Sequence, residues 1–296
     1  GALSAVTEFG GQGSEKEIRT TLIPTTISIN DTVWNVASGK FSWNGNAMSI
    51  DRFSLNHEAS ALTIDGQLAQ ATGDSIIADL KNIDVSYILD LVNFHAVEFG
   101  GHATGRATLS SSLKNPMVDA RLRVPDFHFN GAYLGDADIR GGWNNREKQI
   151  EFDAKMTEEG IGWTTVKGYV SPPRKCLDLR IGSENTNLAF LNRYVTGIFG
   201  DLEGRATGFT RLHGPFKELD FEGKEQARVS AKILATGVTY YLSGGSVDLS
   251  AGRFSFNNMD VEDGLGGRGR ISGFLGHKHL KNITYDFHLD ADNMLV

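Results

Sequence analysis

Cysteine and proline are scarce in this chain: its 296 residues hold one Cys and six Pro. A single thiol excludes an intrachain disulfide and any metal site built on paired cysteines. Cys176 lies in KCLDL, which reads as a strand, so a buried, inert thiol is expected there. No run of about 18 apolar residues occurs, so no bilayer-spanning helix is predicted, and no signal-peptide pattern is present. Positive charge is also in deficit, with 29 Lys and Arg against 36 Asp and Glu and a net charge of −7. Nucleic-acid backbones need clustered Lys and Arg, so that balance argues against nucleic acid and against electrostatic docking on an anionic membrane. The chain opens on Gly-Ala-Leu and stops at Asn-Met-Leu-Val in mid-pattern. The expectation is a soluble segment of a longer protein whose membrane anchor lies outside it.

Motifs for chemistry are equally sparse. There is no P-loop, no HExxH and no GxSxG. Gly264 to Gly269, GLGGRG, has the letters of a dinucleotide-binding loop, but RISGF after it reads as strand where a helix is required, so a glycine-kinked turn is expected. His277 and His279 form His-x-His in a polar turn with no neighbouring carboxylate or Cys in sequence, and read as solvated. Glu158–Glu159 and Asp260, Glu262 and Asp263 are the carboxylate clusters. A carbohydrate-active enzyme would need such acids to converge in a cleft. Their places at strand ends beside glycines favour turn chemistry instead. No catalytic residue, metal or cofactor is expected.

What the chain has in quantity is glycine, at 35 residues, and apolar alternation. Phe41 and Trp43, Met48 and Ile50, then Phe53 and Leu55 after a change of phase at Arg52, and Leu62 and Ile64 occupy every second position. Val118, Ala120, Leu122 and Val124 continue the pattern, as do Ile150, Phe152, Ala154 and Met156, and Leu177, Leu179 and Ile181. Later runs hold Val229 and Ile233, Phe254 and Phe256, and Ile283, Tyr285, Phe287 and Leu289. Each run is a half-buried strand with one apolar face. Turn signals such as Asn130–Gly131 join the strands over short distances, so neighbours run antiparallel and the sheet is a meander. A flat sheet of roughly fifteen to nineteen strands would be unusual, so the sheet is expected to curl, fold over or close. Residues 1–26 read as an irregular lead-in in which 18–23 pairs as an edge strand.

Two segments break the strand rhythm. Val85, Ile88, Leu89 and Val92 fall at helical spacing, as do Leu188, Leu191, Val195 and Ile198, which predicts short amphipathic helices near 84–94 and 186–198. Asp84, Asn185 and Thr186 are candidate N-caps. Each helix runs into glycine and then into Gly-Arg-Ala-Thr, at 105–108 and 204–207. With Gly66, Gly168 and Gly273 recurring about a hundred residues apart, the chain reads as a repeat array with approximate units 27–98, 99–198 and 199–296. Each helix is expected to lay its apolar stripe on the apolar sheet face as a plug or end cover.

The strands LTIDGQLA, TTVKGYVS and GRISGFLG, the loops SLKNPMVDARLRV and HGPFKELDFEG, and the terminal GRFSFNNMDVEDGLGGRGRISG resemble the translocation and assembly module TamB family. That family stands within the AsmA-like group of bacterial envelope proteins. The resemblance covers most of 27–296 and rests on the order of these segments. It implies a mainly β fold, an elongated and curled antiparallel sheet with a hydrophobic groove, anchored in the inner membrane and crossing the periplasm of a Gram-negative cell. The implied role is outer-membrane biogenesis, through phospholipid transfer between membranes or through assembly of outer-membrane proteins. Implied partners are phospholipid or other acyl chains and an outer-membrane β-barrel protein. The implied working parts are groove-facing rows, here Leu62, Ile64, Val118, Leu122, Ile150, Phe152, Leu177, Leu179, Val229, Ile233, Phe254, Phe256, Ile283 and Phe287. A structural or adhesive β-solenoid without a lipid ligand and a carbohydrate-active enzyme on a β-scaffold are the competing readings.

Overall fold

The computed structural model describes residues 3–11, 16–29, 31–69, 74–87, 97–112, 115–195, 199–279 and 281–295. Among them are 22 strands. In chain order these are β1 (Ala5–Gly10), β2 (Glu17–Leu22), β3 (Thr25–Ile29), β4 (Thr32–Val36), β5 (Lys40–Trp43), β6 (Ala47–His57), β7 (Ser60–Ala69) and β8 (Ser75–Asp84). Then come β9 (Phe99–Gly100), β10 (His102–Ser112), β11 (Asn115–Phe129), β12 (Ala132–Asn144), β13 (Gln149–Glu158), β14 (Gly162–Ser171) and β15 (Cys176–Asn187). The last are β16 (Phe199–Pro215), β17 (Asp220–Ile233), β18 (Thr239–Ser243), β19 (Ser246–Ser250), β20 (Arg253–Asp263), β21 (Arg268–Lys278) and β22 (Lys281–Asp292). Among the described residues helix is found at 85–87, in a 3-10 turn at Ala189–Leu191 and in α1 (Asn192–Val195). The fold is mainly β and antiparallel, as the alternation requires.

The chain divides into two compact units, one of residues 1–96, 101–125 and 138–151, the other of 97–100, 126–137 and 152–296. In the first, β1 pairs with β2, β2 with β5, β5 with β6, β6 with β7, β7 with β8, β8 with β10, and β10 with β11. Pro24 separates β2 from β3, and Ala37 to Gly39 separate β4 from β5, so two long strands are each kinked once, and β3 pairs with β4. The second unit is a meander from β14 to β17; the next strand is interrupted at Gly244–Gly245 into β18 and β19, both of which lie between β17 and β20, and β21 and β22 follow. The first 26 residues, expected to be irregular, carry β1 and β2. Pairing with β5 draws them into the sheet, although every residue of β1 is exposed.

Long strands keep one face apolar only if irregularities do not flip their phase, and bulges manage this. Arg52, Asn82, Asp126, Asn185 and Asn258 all have φ near +50°. In each case the backbone N–H left over by the bulge is taken by a short side chain: Asp65 Oδ1, Thr104 Oγ1, Asp136 Oδ1, Thr207 Oγ1 and Ser272 Oγ, at 3.0 to 3.3 Å. The extra residue is thereby absorbed with no buried donor unpaired. Asn130 and Gly131, with φ of 47° and 81°, form the tight turn that their identities predict.

Three of these devices recur with the sequence repeat. Gly66, Gly168 and Gly273 have φ of 121°, 148° and 158°, and a Cβ at any of them would overlap a carbonyl oxygen of the neighbouring strand, that of Ser75, Asp178 or Asp286. Gly168→Ala should therefore destabilise the protein by about 2–4 kcal/mol, the range for a strained backbone with a steric clash. Gly10→Ala, where a Cβ meets nothing within 4 Å, should be near neutral. Denaturant midpoints of both variants check this, and an equal shift would contradict it.

Candidate functional site

Register places the alternating apolar residues of each unit side by side on one face. In the first unit Val36, Leu55, Leu62, Leu80, Gly105 and Leu122 are successive cross-strand neighbours. A second row holds Phe53, Ile64, Ala78, Ala107 and Ala120, and a third Phe41, Ile50, Gly66, Ile76, Leu109 and Val118. In the second unit Gly168, Leu179, Leu212 and Phe221 form one row and Val170, Leu177 and Gly214 another. Gly223, Leu249, Phe254, Leu275 and Tyr285 follow, as do Val247, Phe256, Gly273 and Phe287. Val229 pairs with Gly204 and Leu242, and Ile233 with Phe199. Ile150 and Phe152 alternate along β13 with the exposed Glu151 and Asp153.

The exposure of these rows is the informative quantity. Of the fourteen residues read as groove-lining, none belongs to the fully buried set; eleven are half-buried, and Val118, Ile283 and Phe287 are 37%, 42% and 39% exposed. A sandwich would bury such rows completely. The opposite face is ionic: Arg106 bridges Asp79 at 2.7 Å, Arg211 bridges Asp178 at 2.7 Å, and Lys167 bridges Asp153 at 2.9 Å. Exposed pairs of this kind add little stability, but they commit that face to water.

Many of the fully buried side chains gather where the helical segments begin, while Leu68 and Ile76 are buried at the other end of β7 and β8. Trp34 and Val36 are 4% and 2% exposed, and Ile83, Val85 and Ala103 are buried with them. Tyr87 closes over Trp34, ring centroids 6.3 Å apart and edge-on, while its hydroxyl bonds Thr32 Oγ1 at 2.8 Å. In the second unit Phe190 stacks on Phe129 at 5.4 Å, and Asn187 Nδ2 donates to the carbonyl of Tyr133 at 3.2 Å. At the chain's last described residues, the Tyr240 hydroxyl donates to the carbonyl of Leu295 at 2.8 Å. These three contacts span 55, 54 and 55 residues. A contact over a like separation is thus made three times, with different bonding groups, the third where no helix is described.

Several sequence readings need correction here. The cap of the second helical segment is Asn187, whose Oδ1 accepts the Ala189 N–H at 3.0 Å; Asp84 does the same for Ser86 at 2.9 Å. Asn185 forms the bulge, and Thr186 Oγ1 lies 2.6 Å from Thr164 Oγ1 in a buried pair. The second helix begins later than expected, because residues 186 and 187 complete β15 by pairing with Ala206 and Arg205. The true counterpart of Gly204-Arg205-Ala206-Thr207 is Gly101-His102-Ala103-Thr104. Asn185, Asn187, Gly204 and Thr207 hold the same hydrogen bonds as Asn82, Asp84, Gly101 and Thr104, at one offset of 103 residues. Val85 is buried, whereas Leu188, Leu191 and Val195 are half-buried; Ile88, Leu89, Val92 and Ile198 lie outside the described residues. Cys176, expected buried, is half-buried.

The polar candidates have structural employment. Arg205 holds Glu158 through two bonds of 2.7 and 2.8 Å; Asp260 meets Arg270 at 3.4 Å and Glu262 meets Arg268 at 3.3 Å, on the charged face. His277 is not solvated but buried against Phe254, centroids 4.5 Å apart, and His279 Nδ1 lies 3.5 Å from Asp220 Oδ1, a carboxylate distant in sequence. Among the described residues no group of His, Cys, Asp and Glu is placed to hold a metal ion, and no helix is long and apolar enough to cross a membrane. A depression beside Trp163, Thr164 and Asn185 is a shallow surface feature with no enclosed cavity.

With this geometry in view, no protein-family model, no curated protein and no solved structure matches the chain.

Asp263 is the buried acid that sequence reasoning left as turn chemistry only. At 2% exposed, its carboxylate accepts the N–H groups of Leu295 at 2.7 Å, Leu265 at 2.8 Å and Gly267 at 2.9 Å. The Leu295 amide, then those of Leu265 and Gly267, hold the carboxyl below the usual carboxylate range, against the opposing effect of burial. Because the folded value is depressed, this stabilisation is complete above the unfolded value near pH 4 and is lost as pH falls through the lower folded value. Asp263→Asn should melt below the parent at pH 7, and the gap should narrow at pH 3. A gap independent of pH would contradict the ionic character of this clamp.

Proposed function

We propose that the apolar sheet face is a lane for acyl chains, in a segment of a periplasmic envelope protein of the TamB and AsmA-like type that is anchored in the inner membrane. Its role is outer-membrane biogenesis, by phospholipid transfer between membranes or by assembly of outer-membrane β-barrel proteins. The observation that carries this reading is the half-exposure of row after row of aligned apolar side chains. A face of this kind offers surface that an acyl chain can cover, at about 0.8 kcal/mol per methylene. It asks for no specific polar contact, and successive rows are chemically similar, so a bound chain can shift from one to the next. A packed β-solenoid would have no such unfilled surface.

The test is organic extraction and mass spectrometry of the protein purified without detergent. Phospholipid should accompany the parent protein. Ile64→Asp and Leu179→Asp, each placing a charge in a row at a half-buried position, should reduce it at least fivefold, with the circular dichroism spectrum unchanged. A parent protein free of lipid would overturn the proposal.

A further inference from the structure

Apart from the buried Asp263, whose carboxylate is taken by backbone N–H groups, the apolar face of the second unit carries a half-buried acid at Glu225. Glu225 stands in β17 opposite Gly208 on one side and Val247 on the other, in the row that continues to Phe256. Ser183, the next member beyond Gly208, is 7% exposed, and its Oγ donates to Glu225 Oε2 at 2.9 Å. Thr210 Oγ1 donates to Oε1 at 2.8 Å. Glycine at 208 makes room for the carboxylate, since a Cβ there would come within 2.7 Å of Oε2. Among the described residues no Lys, Arg or His nitrogen lies within ion-pair distance of Glu225.

Two neutral hydroxyls orient this carboxylate without neutralising it. A charge on an apolar surface is costly unless a counter-charge or further donors meet it, and each carboxylate oxygen, with one hydroxyl donor, retains acceptor capacity. Glu225 is flanked in its own row by Val247 and in the next by Leu249 and Phe254, all half-buried. An amphiphile that lays hydrocarbon on these rows while presenting N–H donors to the carboxylate satisfies both surfaces at once. We propose that Glu225, held by Ser183 and Thr210, is a specificity site for amphiphiles with a primary ammonium headgroup. This rests on the acyl-chain reading above and deepens it: the apolar rows bind any chain, and Glu225 selects which headgroup stops there. An amino-phospholipid and a simple long-chain amine both present this ammonium; the shared chemistry is three N–H donors and one positive charge.

The experiment measures binding of three short-chain phospholipids with identical tails, carrying ethanolamine, choline or glycerol headgroups, and of dodecylamine and dodecanoic acid. The ethanolamine lipid and dodecylamine should each bind at least fivefold more tightly than their partners. Choline keeps the charge but lacks N–H donors, and should lose most of the preference. In Glu225→Gln, and in Glu225→Leu, which extends the apolar row, the five ligands should bind within twofold of one another. Preference for the ethanolamine lipid without preference for the amine would assign recognition to the whole phospholipid head and overturn the ammonium site. Equal binding by the parent protein, or a preference that survives in both variants, would also overturn it while leaving the acyl lane standing. Absence of binding by every ligand would overturn both.

Discussion

Everything in this molecule depends on keeping a side-chain period of two in phase across one antiparallel ladder after another. Slipping a strand by one residue would exchange its wet and dry faces. The rows running through Leu62 and Leu80, or through Leu179 and Leu212, exist because each bulge adds its residue at a left-handed position and hands the spare N–H to a neighbour's side chain. The bulges also increase local twist, and they lie beside glycines where strands approach too closely for a Cβ. Phase correction and close approach are thus one device, repeated.

The same repeat sets where the protein is dry. Short helical segments follow β8 and β15 and reach aromatic residues some fifty to sixty positions upstream, Trp34 and Phe129, while Asn192 also exchanges hydrogen bonds with Leu202 of the next strand; Leu295 meets Tyr240 over a like separation. There, and at Leu68 and Ile76, the apolar face is sealed; the rows read as groove-lining are half-buried or exposed. Folding free energy is drawn from the sealed regions and from the ladders, which leaves the open rows free for another use. Half-exposed apolar rows opposite a face of Arg–Asp pairs fit a surface meant to be covered by something apolar.

Much of this was legible in the sequence. Alternation gave the strands and their faces, the phase change at Arg52 marked a bulge, Asn130–Gly131 marked a turn, and the recurring glycines marked the close approaches. These signals are local, so a chain read in order reveals them. Other features are decided by partners far away. Asn187 is a cap and Asn185 a bulge because Thr207 and Arg205 stand opposite, which letters alone do not reveal; matching identical Gly-Arg-Ala-Thr segments misaligned the repeats by four residues for the same reason. The second helix starts later than read because 3.6-residue spacing at 186–188 competed with pairing to β16, and pairing won. His279 meets Asp220, and Glu225 meets Ser183 and Thr210, across strands whose register had to be known first. The apolar lane was legible residue by residue, while the polar break within it was not.

The account's central claim is that one face of the sheet, and only that face, meets acyl chains. A photoreactive phenylalanine analogue placed singly at Leu62, Thr63, Ile64 and Asp65, and again at Leu177, Asp178, Leu179 and Arg180, tests it most directly when the protein is illuminated with phospholipid vesicles. Crosslinks to lipid are expected at Leu62, Ile64, Leu177 and Leu179 and not at the intervening positions. Crosslinking without that alternation, or none at any of the eight, would contradict the account.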